Sequence, residues 1–399
     1  MRRTGLFFCI GAPMNFSGKV CTRIFSAVVG LLAALPSFAE NGVTERKIIL
    51  GQSAAFSGPA AQLGIHMHAG ASVYFENLNE DGGVHGRKIE IVTADDKYEA
   101  KLAEENTIKL IEKDQVFALF GYVGTPTSAA ALPIFTKEKV PFFAPFTGAQ
   151  LLREPFNRYI FNMRSSYYDE TEHLVNHLVK NGMSKIAVFY QNDSYGMAGL
   201  KGVERAMEKM KVQLVAKSTV ERNSVDVSKA LRDILPRQPD VIIQISAYAS
   251  CAAFIVEAKK QKYNGQFYNV SFVGSQALAD TLAKSGPDYG PGVVISQVVP
   301  FPWSQATPVV AEYTKAMRKA KKEINFSSLE GYMAAKIFHE GLRRAGRELT
   351  REKLIRALES INSANYDVGG FAVNFSPSNH NASRYVDMTV IMPERRFAH

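Results

Sequence analysis

Apolar and polar positions follow two recurring patterns along residues 40–399. Short continuous apolar runs, such as Val116–Phe120 and Val241–Ile245, are typical of strands that are buried on both faces of a parallel sheet. Longer segments between them, such as Gln62–Asn79, carry apolar residues at helical spacing and are typical of helices that cover a sheet. Regular alternation of the two patterns predicts an α/β fold with parallel sheets and helices on both faces.

The alternation is interrupted near residues 160–166, 299–306 and 362–370, where we expect the chain to pass between two lobes. Each crossing must absorb the rotation of the lobes at few residues, so the crossings together would form a multi-strand hinge. We therefore predict two doubly wound, Rossmann-like lobes. The N-terminal lobe comprises residues 40–162 and 303–365, and the C-terminal lobe comprises residues 163–302 and 366–399. Two strand-like runs, Phe371–Phe375 and Tyr385–Met392, are predicted to close the chain.

Residues 1–39 have the pattern of a signal peptide. Basic residues precede the short apolar run Ile24–Leu35, and Ser37-Phe38-Ala39 forms a small-x-small cleavage site. The run is too short to cross a bilayer, and translation from either Met1 or Met14 fits the pattern. Cleavage would remove four of the 47 basic residues and none of the 38 acidic ones, which leaves a net charge of about +5. Cys251 would remain as a single cysteine, which is compatible with a periplasmic protein without disulfides.

Motifs of the common enzyme, metal and nucleotide sites are missing from the sequence. GxxxxGK[ST], GxGxxG, HExxH and GxSxG do not occur in a sensible context. His173 and His177 lie one helical turn apart, but no third metal ligand is evident. Basic residues are not gathered on one face, as nucleic-acid binding requires. We therefore expect no enzymatic activity, no cofactor, no metal site and no nucleic-acid partner.

The stretch from residue 116 to residue 148 carries the most specific chemistry. Thr125-Pro126 predicts a helix start with a threonine N-cap and a proline at the first helical position. The hydroxyl of Thr127 would face out of that helix end, where unsatisfied N–H donors and the helix dipole attract an anion. The next strand places Phe146-Thr147-Gly148 beside it. We predict a small carboxylate site walled by aromatic rings, and an ordinary strand–helix turn is the alternative.

Three later strand ends repeat this arrangement. Gln191–Gly196, which contains Tyr195, follows one predicted strand, and Ser246-Ala247-Tyr248 follows another. Gly274-Ser275-Gln276 follows a third, which is predicted at Phe267–Val273. Ligands of open α/β sheets bind at the carboxyl ends of the strands. Each end alone is most simply explained as a helix cap, but four ends across two lobes predict a cleft that is lined from both sides.

The order and spacing of these segments resemble the periplasmic solute-binding proteins of branched-chain amino acid ABC transporters, the leucine/isoleucine/valine-binding type. The resemblance extends over essentially all of residues 40–399 and implies the type I periplasmic binding protein fold. The segments that carry it are Ile48–Pro59, Asn79–Lys88, Asp95-Asp96, Gly121–Ser128, Ala144–Gly148, Ile186–Gly196 and Pro239–Tyr248.

The resemblance also implies roles for individual residues. In the family, a solute carboxylate is held by a hydroxyl-rich helix start and by the loop after the next strand. These positions correspond here to Thr125 and Thr127 and to the loop of Phe146, Thr147 and Gly148. All five are therefore expected to bind the ligand.

The C-terminal lobe agrees with the family pattern at two aromatic positions and departs from it at a third position. Tyr195 and Tyr248 match aromatic residues that contact the solute, whereas the acid that binds the α-ammonium falls at Gln276. A buried ammonium needs a carboxylate, because an unpaired charge in a closed cleft is costly. We expect Gln276 to contact a carboxylate or amide solute that lacks an ammonium group. Glu330 is the one other acid suggested for an ammonium.

The resemblance implies a periplasmic protein that captures a small amino-acid-like or carboxylate solute in an interlobe cleft and delivers it to an ABC importer. Its partners would be the solute, which is an amino acid, an amide or a small carboxylate, and an ABC permease in the membrane. We expect it to be a monomer. A periplasmic ligand-sensing component of a signalling system is the alternative, because fold does not determine function.

Overall fold

The computed structural model describes residues 40–399, together with Gly11 and Pro13. Apart from those two residues, the predicted signal peptide lies outside the described residues and stays a prediction. Residues Glu40–His399 form one compact unit. In the part of the chain that the structure describes, no helix combines the length and the apolar character needed to cross a bilayer.

The first sheet has five strands, all in parallel pairing. They are β1 (Lys47–Ala54), β2 (Lys88–Asp95), β3 (Ala118–Phe120), β4 (Phe142–Phe143) and β5 (Ile160–Phe161). Their spatial order is β2-β1-β3-β4-β5. The inner strand β3 is buried along its whole length, as expected for a strand that is covered by helices on both faces.

The second sheet has seven strands in the order β12-β11-β10-β9-β8-β6-β7. The strands β6 to β10 pair in parallel, whereas β10, β11 and β12 pair antiparallel. Their ranges are β6 (Ile186–Gln191), β7 (Ala216–Val220), β8 (Val241–Ile245), β9 (Gln266–Asn269), β10 (Val294–Gln297), β11 (Asp387–Ile391) and β12 (Phe397–Ala398).

Eleven α-helices lie between these strands among residues 40–399. Helices α9 and α10 pack against α1, and α11 packs against α10, whereas α4 packs against α5 and α7 against α8. The ranges are α1 (Ala61–Glu80), α2 (Ala100–Glu112), α3 (Thr125–Lys137), α4 (Tyr167–Lys180), α5 (Ser194–Met210), α6 (Ser228–Ile234), α7 (Tyr248–Lys260), α8 (Ser275–Ser285), α9 (Pro308–Lys319), α10 (Phe326–Ala345) and α11 (Arg351–Glu359).

The predicted fold class of two parallel-sheet lobes in an α/β protein is confirmed. We call the first sheet and the helices packed on it the N-terminal lobe, and the second sheet with its helices the C-terminal lobe. The residue boundaries assigned to the lobes stay a prediction. The first predicted crossing runs beside a segment that lies beyond the third predicted crossing, since Asn162 forms an isolated parallel bridge with Asn381.

Two strand predictions were wrong. Phe371–Phe375 forms one isolated bridge, between Ala372 and Asp367, rather than a strand, so its alternating burial does not reflect a ladder of sheet bonds. The strand predicted at 267–273 ends as β9 at Asn269, and a 3₁₀ turn follows at Ser271–Val273. This turn carries Phe272 away from the sheet and toward the other lobe.

Candidate functional site

The helix start at Thr125 is built differently from the prediction. Thr125 is the first helical residue rather than the N-cap, and Gly124 occupies the cap position with φ of 105°. A side chain at position 124 would be strained at this φ, and its Cβ would lie 2.3 Å from the ring of Tyr98. The Thr125 hydroxyl is therefore free to make contacts outside its own helix, which an N-cap hydroxyl is not.

A chain of buried hydroxyl groups starts at Thr125. The Oγ1 atoms of Thr125 and Thr147 are 2.7 Å apart, and Thr147 Oγ1 donates to the hydroxyl of Tyr167 at 3.2 Å. All three residues are fully buried. Thr147 follows β4 and Tyr167 begins α4, so the chain joins the strand ends of the N-terminal lobe to the first helix of the C-terminal lobe.

Thr127 and Gly148 form hydrogen bonds that involve backbone groups. Thr127 Oγ1 donates to the carbonyls of Val123 and Gly124, so its hydroxyl is turned back toward its own helix start. The carbonyl of Gly148 accepts from the N–H of Tyr167 at 2.8 Å, and a Cβ at Gly148 would lie 2.7 Å from Tyr167. A glycine at this position allows the two lobes to approach closely.

Phe272 belongs to a cluster of five aromatic rings. The centroid of Phe272 is 4.5 Å from Tyr195, 5.7 Å from Phe146 and 5.9 Å from Tyr98, and Tyr167 lies 5.4 Å from Tyr195. Each ring is buried. Since Phe146 and Tyr98 belong to the N-terminal lobe and the others to the C-terminal lobe, the lobes are closed on one another.

Sequence reasoning missed Tyr98, Tyr167 and Phe272. Phe272 was hidden inside a predicted strand that in fact ends three residues earlier. Tyr98 follows the acidic pair at the end of β2, and Tyr167 follows the first crossing. Aromatic residues directly after a strand end were the available signal for Tyr98, because ligands bind there.

Tyr195 lies at the start of α5 and its hydroxyl has no hydrogen-bond partner among the described residues. Asp193 is the N-cap, and its side chain accepts from the N–H groups of Tyr195 and Gly196. Burial raises the pKa of Tyr195 well above its usual value, so the group is a neutral hydroxyl. A buried donor without a partner is rare in folded proteins, and it marks this position as a candidate ligand contact.

Tyr248 bonds across the interface between the lobes, whereas Gln276 bonds within its own helix. The hydroxyl of Tyr248, at the start of α7, accepts from the N–H of Gln62 in α1 at 3.4 Å. The amide of Gln276 donates to Asp280 of its own helix at 3.1 Å. No hydrogen bond found among the described residues joins Gln276 to the hydroxyl chain.

A buried ion pair lies beside the site. Arg164 donates through Nε and Nη2 to the two carboxylate oxygens of Glu330, both at 2.8 Å, and the two side chains are only 1% and 3% exposed. Burial lowers the pKa of Arg164, but the charge of Glu330 outweighs it and the pKa is raised. The guanidinium carbon lies 4.2 Å from the centroid of Phe146. Glu330 is therefore already paired.

Glu170 fixes the turn that carries Phe272. Its carboxylate accepts from the N–H and the hydroxyl of Ser271, at 2.8 and 3.0 Å, and from Ser296 Oγ at 2.5 Å. Burial raises the pKa of Glu170 despite the favourable charge of Arg164. These three donors anchor the 3₁₀ turn to β10 and to α4, and so they position the ring of Phe272.

Polar contacts, which we call the interlobe clasp, join the two lobes at the outer edge of the site. Arg222 and Asn223, which follow β7, donate to Glu99 at 2.8 and 2.7 Å. Gln191 donates to the hydroxyl of Tyr98 at 3.2 Å. Glu99 and Tyr98 belong to the loop after β2, so this interlobe clasp connects strand ends of different sheets.

The acidic pair after β2 shapes that loop. Asp95 accepts from the N–H groups of Phe56, Ser57 and Lys97. Burial alone would raise the pKa of Asp95, but these bonds and the Ser57 hydroxyl hold it below its usual value. Asp96 is completely buried, accepts from Ser53 Oγ and from the N–H of Tyr98, both at 2.8 Å, and has its pKa raised to about 7 by burial.

A fold of two doubly wound lobes with a buried, hydroxyl-rich and aromatic site at their facing strand ends defines a bilobal binding protein. The chain matches the family model described as periplasmic binding protein over residues 47–392, and it belongs to that family.

Relatives agree with this assignment. The Leu/Ile/Val-binding protein homolog 7 of Brucella suis is 26% identical, over 89% of this chain and 90% of its own length. A possible leucine/isoleucine/valine-binding protein from Rhodopirellula baltica superposes with a TM-score of 0.84 at 34% identity, over 89% of this chain and 96% of the other. A substrate-binding periplasmic protein from Ralstonia solanacearum superposes with a TM-score of 0.82 at 28% identity, over 88% and 99%.

The predicted resemblance is thus confirmed. The family and these neighbours are binding proteins and not enzymes, which also confirms the expectation that the chain is not an enzyme. The roles assigned to individual site residues stay predictions.

The first prediction concerns the interlobe clasp. Arg222→Met removes a partly exposed ion pair with Glu99, so we expect the closed form to lose about 0.5–1 kcal/mol relative to the open form. Small-angle X-ray scattering should show a larger radius of gyration for the variant in the absence of solute. Lys217→Met is the control, because it breaks an ion pair with Glu204 that lies within the C-terminal lobe. Equal radii for both variants and the wild type would contradict the prediction.

The second prediction concerns Asp96. Because its pKa is raised in the folded protein, the folded state keeps a proton that the unfolded state loses, between pH about 4 and about 7. The free energy of unfolding should fall across this window by roughly 2–4 kcal/mol relative to Asp96→Asn, and should level off above it. Urea unfolding at several pH values measures this difference.

Asp95→Asn is the matched control for that measurement. The pKa of Asp95 is lowered, so its stabilising contribution is complete above the unfolded pKa and is lost only in more acidic solution. The difference between wild type and Asp95→Asn should therefore change much less over this window than the difference for Asp96→Asn, because the Asp95 charge contributes less than burial to the raised pKa of Asp96. A constant difference for both variants would show that Asp96 does not titrate near neutrality.

Proposed function

We propose that this protein is a periplasmic solute-binding protein that captures a small amino-acid-like or carboxylate solute between its lobes and delivers it to an ABC importer. The observation that supports this most directly is the chain of hydroxyls from Thr125 through Thr147 to Tyr167, together with the unpaired hydroxyl of Tyr195. These groups come from strand and helix ends of both lobes. Hydrogen-bonding groups that face each other across a hinge are suited to enclosing a small polar ligand.

Closure supplies the binding mechanism. The protein would open at the crossing segments, admit a solute to the strand ends and then close, which excludes water and strengthens the polar contacts. The clasp of Arg222 and Asn223 on Glu99 would stabilise the closed form. A membrane permease would then recognise the closed protein, and the open form would be regenerated after release.

The location and partners complete the proposal. The signal-peptide pattern of residues 1–39 supports export to the periplasm, and the family is extracytoplasmic. We propose an ABC permease as the membrane partner and a monomer as the working form. Sensing of the solute for a signalling system is the second candidate, since a closing two-lobed protein can report to a membrane sensor as well as to a permease.

Uptake measurements distinguish import from sensing. A thermal-shift screen of amino acids, amides and small carboxylates first identifies a solute. Deletion of the gene should then abolish high-affinity uptake of that radiolabelled solute, and expression of the gene from a plasmid should restore it. Unchanged uptake combined with a lost transcriptional response to the solute would favour sensing instead.

A separate prediction tests the site. Tyr195→Phe removes only the buried hydroxyl that lacks a partner, so solute affinity should fall by about three- to tenfold, while the unfolding temperature of the free protein should stay the same or rise. Calorimetry with the screened solute and thermal unfolding measure the two effects. Tyr190→Phe on β6 is the control and should leave affinity unchanged. A less stable Tyr195→Phe protein with full affinity would show that the hydroxyl is structural.

A further inference from the structure

We infer that the solute binds as an organic carboxylate without an ammonium group, and that Arg164 donates to it. This inference rests on the proposed function, because it takes the buried strand ends of the two lobes as the solute site. It adds a residue that the sequence pattern did not suggest, and it specifies the charge of the solute.

Unused donors are concentrated at this site. In the described part of the chain, Arg164 Nη1 and the hydroxyls of Tyr195, Ser128 and Ser246 are buried and make no hydrogen bond. Arg164 follows β5, Ser128 lies in the first turn of α3, Tyr195 begins α5 and Ser246 follows β8. Each therefore lies at a carboxyl end of a parallel strand or at the helix start beside it. Four donors at such positions favour a ligand that accepts hydrogen bonds.

The guanidinium of Arg164 is suited to hold an acceptor there. Glu330 accepts hydrogen bonds from Nε and Nη2 of Arg164. These bonds fix the plane of the guanidinium and leave Nη1 without a partner. The guanidinium also lies against the ring of Phe146, which packs near the ring of Phe272 of the opposite lobe. A carboxylate at Nη1 would thus have aromatic rings beside it for an apolar body.

The acids near the site are already committed to other donors. Both oxygens of Glu330 accept from Arg164, and both oxygens of Glu170 accept from Ser271 and Ser296. Asp193 accepts from Gln191, from the N–H of Tyr195 and from Arg222. An ammonium group would have to compete with Arg164 for Glu330, which would leave a buried charge unpaired, or displace neutral donors from Glu170 or Asp193, which would leave buried hydroxyl or N–H groups without partners.

The acceptors that do remain are neutral. In residues 40–399, buried amide oxygens without a hydrogen-bond partner lie in strands or at strand ends on Gln191, Gln244, Asn162 and Asn269. An amide oxygen can accept a bond from a ligand hydroxyl or amide, but it does not neutralise a cation. Gln276 donates to Asp280 in its own helix, so the position that the family resemblance links to an ammonium-binding acid supplies no charge here. The balance of groups at the site therefore fits a carboxylate better than a zwitterionic amino acid.

Matched ligand pairs test the inference on the purified periplasmic protein. Isothermal titration calorimetry compares leucine with isocaproate and phenylalanine with hydrocinnamate, and isocaproamide is the neutral comparison. We expect at least one carboxylate to bind about tenfold or more tightly than its amino acid. Tighter binding of the amino acid in both pairs would overturn the inference and leave the proposed function standing. Binding by no compound of the wider screen would overturn both.

Charge-removing variants test the role of Arg164. The double variant Arg164→Met/Glu330→Gln removes both charges, so the protein should fold while its affinity for the carboxylate falls about tenfold or more. Arg164→Met alone leaves Glu330 free and should shift preference toward the amino acid. The control is Arg158→Met/Glu352→Gln, an exposed ion pair that is also bidentate but is formed through Nη1 and Nη2. A folded double variant with full carboxylate affinity would overturn the assignment of Arg164.

Discussion

A charge buried away from water is tolerated when an opposite charge and well-placed hydrogen bonds replace its hydration. The Arg164–Glu330 pair meets this condition at the point where the chain first leaves the N-terminal sheet. Arg153 reinforces the segment by donating to the carbonyls of Ala149 and Arg164 at 2.9 and 2.8 Å. The end of β5, the ring of Phe146 and helix α10 are thereby held in one arrangement. Loss of either partner would leave a buried charge, so the pair fixes the geometry from which the site is built.

The unpaired donors next to this pair represent a stability cost that a purely structural interior would avoid. Folded proteins satisfy most of their buried polar groups, and each exception costs on the order of 1–3 kcal/mol. Tyr195, Ser128 and Ser246 are such exceptions among the described residues, and all three lie at strand ends or at the helix starts beside them. A ligand that supplies the missing acceptors would recover this free energy when the lobes close. The free energy of closure would then depend on the solute, as a capture mechanism requires.

The sequence allowed the fold to be predicted because apolar runs and helical periodicity are local properties. The same rules placed Thr125, Thr147 and Tyr195 at strand and helix ends, where the structure brings the first two into contact. The rest depended on distant partners. Glu330 is 166 positions from Arg164 in the chain, and no local pattern indicates that the two pair. Phe272 required knowledge that β9 stops at Asn269, and strand ends are poorly determined by hydrophobic pattern alone.

Gly124 links a local backbone conformation to the contact between the two lobes. Its φ is 105°, and a methyl carbon added at this position would lie 2.3 Å from Tyr98, so only a hydrogen atom fits between the helix start and that ring. Tyr98 in turn accepts from Gln191 of the opposite lobe. Any larger residue at 124 would displace Tyr98 toward the second sheet and would prevent the two lobes from closing fully. The lack of a side chain at Gly124 therefore determines how far the lobes can close. The extent of the hinge motion is thus set at a position distant from the hinge itself.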